Sequence, residues 1–158
     1  MPKKKKLIFI IGGILLVILA ILYWYQSRPY SPGRDEIALR IQLDVREDFG
    51  LLVFDYEVDG KPRGGGISNA DRSLIKHNEQ LIQVWQRGRE DLDTEADSVE
   101  LKIRFRIITE YVDPNFENVY PEEISRYLEP VSLKAEFGKM YDLTITGDKD
   151  AGYKVVLP

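Results

Sequence analysis

The sequence has no cysteine and only one histidine, His77, and between Leu7 and Tyr25 it has no charged residue at all. Without cysteine there are no disulfides, no thiolate metal sites and no lipid-modified N-terminal cysteine. Stability must then come from apolar burial and sheet hydrogen bonding. One histidine is too few for a zinc site of the usual kind. A Ser-His-Asp triad would have to use His77, and no Gly-x-Ser-x-Gly elbow exists to present a serine. His77 lies in His77-Asn78-Glu79 between two expected strands and reads as a turn residue. Glycosylation acceptors are also missing: Asn69, Asn78, Asn115 and Asn118 are followed two positions on by Asp, Gln, Glu and Tyr. An exported domain with neither disulfides nor glycan sites fits a bacterial cell envelope better than a eukaryotic lumen.

The uncharged run is the strongest signal. Nineteen residues, 7–25, follow Lys3, Lys4, Lys5 and Lys6. As a helix they would reach about 28 Å, close to the hydrocarbon thickness of a bilayer. A cleaved signal peptide is the rival reading, but the run exceeds the usual signal core and no small-x-small site follows it. Ala20 would need a small residue at Ile18, and Ser27 one at Tyr25. Charge asymmetry sets the expected orientation: residues 1–6 are a cytoplasmic tail, 7–25 a transmembrane helix, 26–36 a linker and 37–158 an extracytoplasmic domain. Tyr23, Trp24 and Tyr25 would sit at the far lipid–water boundary. The linker reaches at most about 35 Å, which keeps the domain near the membrane surface. Leu157-Pro158 directly follow the last expected strand, so no sortase-type tail is expected.

The chain has 22 Lys and Arg against 26 Asp and Glu; four lysines precede the apolar run, leaving 18 against 26, a net of −8. Such a surface repels nucleic acid and anionic headgroups. Alternation of period two dominates the rest. Ile37, Leu39, Ile41, Leu43 and Val45 interleave with polar residues, and so do Val99, Leu101, Ile103, Phe105 and Ile107. Leu52, Phe54, Tyr56 and Val58 mark another strand; Gln80–Arg87, Val131–Phe137, Met140–Thr146 and Tyr153–Leu157 mark four more. Gly64-Gly65-Gly66 reads as a flexible loop, since it lacks the Gly-Lys-Ser/Thr ending of a phosphate loop. Ser73–Lys76 is a weak strand and Pro121–Leu128 one or two helical turns. The expected fold is therefore all-β: an antiparallel, immunoglobulin-like sandwich of seven or eight strands, with a partly open barrel as the alternative. Pairing 99–107 with 37–46 would set opposite charges across from each other.

Two segments are candidate sites. Tyr111, Phe116, Tyr120 and Tyr127, beside Asp113, Asn115, Glu117 and Asn118, either plug one end of the sandwich or bind a ligand, with Tyr111, Phe116 and Tyr120 as the binding residues. The acidic run Asp91, Asp93, Glu95, Asp97 is a weak calcium candidate. It departs from the EF-hand pattern, with Ala96 at the glycine position and Lys102 at the bidentate acid. The alternative is a solvated loop. Lys102, Arg104 and Arg106 fall on one solvated strand face. The leading expectation is a non-enzymatic membrane-anchored module that binds another envelope protein. Glycan or small-ligand binding through 111–127 and calcium-dependent binding through 91–100 are the alternatives. A carboxylate-only hydrolase drawing on Asp113, Glu117, Glu122 and Glu123 is a third class.

Overall fold

The computed structural model describes residues 3–26, 28–89, 92, 94–111 and 120–158, with side chains from residue 12 onward apart from 25 and 26. It divides into two compact units, 1–31 and 32–158. The first is a single helix, α1 (Lys3–Gln26), so the lysines open the helix instead of preceding it. Every apolar side chain described on it is exposed, from Ile14 to Trp24, as expected of a helix apolar all round. The Arg28 guanidinium lies 4.0 Å over the Trp24 ring. Among the described residues no helix is long and apolar enough to cross a membrane; residues 12–24 alone span only about 20 Å.

The second unit is a β-sandwich. Its strands are β1 (Glu36–Val45), β2 (Leu51–Val58), β3 (Lys61–Ile67), β4 (Gln80–Gln86), β5 (Ser98–Ile108), β6 (Ser125–Tyr127), β7 (Val131–Glu136), β8 (Met140–Asp148) and β9 (Gly152–Val156). One sheet has the order β4-β1-β8-β9; the other runs β3-β2-β5-β6, with β7 also paired to β5. Apolar alternation decides which face of each strand is buried. Ile37, Leu39, Ile41 and Leu43 from the first sheet meet Leu52, Phe54, Tyr56, Leu101, Ile103 and Phe105 from the second in one core.

Several expectations need correction. The strand order is not immunoglobulin-like: β1 and β2 lie in opposite sheets, whereas the first two immunoglobulin strands share one. The described residues hold nine strands, and one pairing, β1 with β8, is parallel. β5 pairs with β2, not β1, so the facing charges are Asp55 with Arg104 and Glu57 with Lys102. The triple glycine is not a loop but lies within β3, in register with β2. Ser73–Lys76 contributes only an isolated bridge, Ile75 to Phe49. The helix expected at Pro121–Leu128 shrinks to a 3-10 turn, Glu122–Ile124, and the chain then extends into β6.

Close approach requires glycine at several positions, Gly65 and Gly50 among them. Gly65 faces inward under Phe54, and a Cβ there would lie 2.6 Å from the ring. Gly50, where the chain crosses between sheets, would place a Cβ 2.0 Å from the carbonyl oxygen of Glu110. Phe54 cannot yield, because it is buried against Tyr56, Trp85 and Phe105. Gly65→Ala is therefore expected to cost about 1–3 kcal/mol in urea or thermal unfolding, the usual penalty of overpacking. Gly64→Ala, whose Cβ would meet only ordinary contacts, should stay within about 0.5 kcal/mol of wild type.

The crossing from β1 to β2 is also tied to the segment before β4. The Asp48 carboxylate accepts from Lys76 Nζ at 2.8 Å and from the His77 backbone N–H at 2.9 Å, and it contacts His77 Nδ1 at 2.8 Å. These bonds, Lys76 first and then His77, hold the Asp48 carboxyl well below its ordinary value of 3.8. A depressed folded value means the stabilisation is fully present above the unfolded value and is lost progressively as pH falls from there through the folded value. Unfolding midpoints should therefore fall as pH drops below about 5. Asp48→Asn should flatten that acid limb and lower the midpoint at pH 7.

Candidate functional site

The two outer faces of the sandwich differ in kind. On the four-stranded sheet, Arg40 Nη2 donates to Asp142 Oδ2 at 2.9 Å across the parallel β1–β8 pair. At one end of it Arg46 pairs with Asp148 at 3.0 Å. On the five-stranded sheet, the outward residues of β2 are Leu51, Val53, Asp55 and Glu57, and those of β5 include Lys102, Arg104 and Arg106. Among the described residues none of those charged groups lies within ion-pair distance of another.

A groove of about 440 Å³ opens on this face, lined by Leu51, Val53, Asp55, Gly64–Gly66, Arg106 and Tyr120. The glycines make it possible. Gly64 and Gly66 carry no side chain to cover β2, so an edge strand that would normally shield its neighbour leaves it open. A second hollow, of about 270 Å³, lies between Gly50, Asn69, Arg72, Tyr111 and Tyr120. Leu51 and Tyr120 are common to both.

Backbone bonding fixes the aromatic wall. Thr109 N–H donates to the Ile124 carbonyl at 2.9 Å, and Leu128 N–H to the Phe105 carbonyl at 2.9 Å. The Arg126 guanidinium donates to the Glu123 carbonyl at 2.8 Å and to that of Lys149 at 3.3 Å. The rings of Tyr120 and Tyr127 both lie near Arg106, with centroids 5.2 and 5.3 Å from its guanidinium carbon. Arg106 Nη1 donates to the Tyr127 hydroxyl at 3.2 Å.

Of the expected binding residues, Tyr111 and Tyr120 share a hollow, while Phe116 lies outside the described residues, as do Asp113, Asn115, Glu117 and Asn118. Tyr111 and Tyr127 are 40% and 57% exposed, and Leu128 fills the core beneath the segment instead. The residues the sequence reading missed are Arg106 and the glycine strip. Leu51 and Val53, apolar on a face that should be wet, were the available signal.

The acidic run divides. Asp91 and Asp93 lie outside the described residues. Leu92 between them is fully buried and anchors the loop through Gly88 N–H to its carbonyl at 2.9 Å. Asp97 faces Arg87, at 3.8 Å, and Arg87 also donates to the Ala96 carbonyl at 2.9 Å. Among the described residues no group of three or more acidic or histidine side chains is placed to hold a metal. His77 is engaged by Asp48, but the hydroxyl of nearby Ser73 is bonded within its own turn, to Asp71 and Asn69. Glu122 and Glu123 are exposed neighbours on the 3-10 turn.

No protein-family model and no curated protein matches the chain. Among solved structures, one titled "Trapped Toxin" is similar at 10% identity and a TM-score of 0.32. The match covers 78% of this chain and 24% of that one, so this chain spans about a quarter of its length. A likeness that weak carries no argument about fold or activity.

Proposed function

We propose that the protein is a non-enzymatic binding module, anchored in a membrane by residues 7–25, that holds another cell-envelope protein against the outer face of its five-stranded sheet. The carrying observation is the groove beside Tyr120, opened by Gly64 and Gly66 on a face whose charges are not paired with one another among the described residues. The opposite face satisfies Arg40 internally. Support for the anchor comes from the uncharged run lying within one 24-residue helix, about 36 Å long at helical rise. The Arg28–Trp24 contact at its far end has the chemistry of an interfacial anchor. With residues 1–6 in the cytoplasm, the sandwich works on the other side, close to the surface.

A small-ligand or glycan reading is favoured by one feature, the hollow that Tyr111 and Tyr120 line together. Partly exposed rings beside an amide side chain, here Asn69, suit sugar recognition as well as protein contact. The two readings separate by what the tyrosines capture.

The anchor is tested by membrane fractionation. Full-length protein should resist alkaline carbonate extraction, a variant lacking residues 7–25 should be soluble, and protease outside the membrane should digest the sandwich. Digestion only from the cytoplasmic side would overturn the orientation. For the binding face, a photo-crosslinker at Tyr127 in intact membranes should capture a protein partner. Tyr120→Ala should reduce that yield by about tenfold while shifting the melting temperature by no more than about 2 °C. Undiminished capture would remove this face from the reading, and selective loss of glycan binding would favour the alternative.

A further inference from the structure

Two opposite charges line the groove without neutralising each other. Arg106 has Val53 and Tyr127 as its cross-strand neighbours, both uncharged, whereas Arg104 and Lys102 face Asp55 and Glu57. Its guanidinium lies within 5.3 Å of two tyrosine ring centroids and uses one of five N–H donors among the described residues, the bond to Tyr127. Its Nε is buried with no hydrogen-bond partner among the described residues. Asp55 stands two residues along β2 from Val53, hence on the same face and about 7 Å further on. Its Oδ1 leans towards Gly64, 3.5 Å from where a Cβ would be.

We propose that the groove binds the free ends of an amino acid or short peptide, with the carboxylate on Arg106 and the ammonium on Asp55. The inference rests on this face being the binding face and names what it takes. A planar guanidinium presents paired donors that match a carboxylate. The Tyr127 hydroxyl bond and the two neighbouring rings limit the orientations open to it. Leu51 and Val53 give the floor an apolar surface for a small side chain. The glycine strip lets an extended backbone approach without meeting a Cβ. A volume of about 440 Å³ falls within the range of small-ligand sites. Asp55 repels a second negative charge, which disfavours a polyanion such as phosphate.

The test is calorimetric titration of the full-length protein in detergent micelles at low salt, with trialanine as probe. Trialanine should bind. Trialanine amide, which lacks the carboxylate, and N-acetyltrialanine, which lacks the ammonium, should each bind about tenfold more weakly or worse. Arg106→Gln should reproduce the first loss and Asp55→Asn the second. Arg106→Lys should not restore full affinity, because a point charge lacks the fork. Equal affinity for trialanine and its amide, no binding of trialanine, or displacement of trialanine by inorganic phosphate would overturn the assignment. If Arg106→Gln unfolds the domain, the blocked peptides and the exposed Asp55→Asn variant decide the matter alone. Failure of trialanine while Tyr120→Ala still abolishes crosslinking defeats this assignment only. Failure of both defeats the binding face itself.

Discussion

The ring of Phe54 is the contact on which the two sheets depend. It lies 6.3 Å from Trp85 of the opposite sheet in an edge-on arrangement and within 6.4 Å of Tyr56 and Phe105 in its own. With no cysteine available, this aromatic cluster and the aliphatic residues around it do the work that a disulfide performs in many exported sandwiches. The cluster imposes a condition on the neighbouring edge strand, because the Phe54 ring occupies the place of the Gly65 side chain. β3 must therefore be bare where it crosses Phe54. Gly64 and Gly66 extend that bareness to the outer face, and the packing of the core and the opening of the groove come to share one short stretch of chain.

The groove gains its chemistry from the opposite side. β5 runs the length of the sheet and is flanked by β2 on one edge and by β6 and β7, end to end, on the other. Where β6 gives way to β7, the segment Leu128–Pro130 bridges the gap, and Tyr120, ahead of β6, and Tyr127, its last residue, both lie near Arg106. A guanidinium packed beside aromatic rings keeps its fork pre-organised at little entropic cost. The same cation on an open strand, such as Arg104, is solvated and faces a cross-strand acid.

The alternating segments of the chain were legible because burial on one face imposes a period of two. Ile37–Val45 and Val99–Ile107 are strands with the buried faces that pattern requires. What the pattern does not encode is pairing. The outward charges of 99–107 are complementary to either of two acid-bearing strands, and the choice of β2 over β1 follows from the core, not from the charges. β3 was illegible for a different reason. Glycine has low strand propensity, so Gly64–Gly66 reads as a loop until Phe54 is seen to need the space. Pro121–Leu128 carries the marks of a helix start, yet Leu128 must reach the core and the backbone must bond to Phe105 and Thr109. Those tertiary demands shorten the helix to one turn.

By itself the sequence determined the character of each segment: an uncharged 19-residue run behind four lysines, an acidic remainder without thiols, and strands with one apolar face. Such properties are local, set by composition and spacing, and no distant contact can change them. Only the tertiary structure decided which strands share a sheet, why one glycine cannot be replaced, and that Arg106 and Asp55 line the same groove as Tyr120. These depend on residues far apart in the chain meeting at a few ångströms, and the free energy that fixes such meetings lies in packing, which a linear pattern does not record.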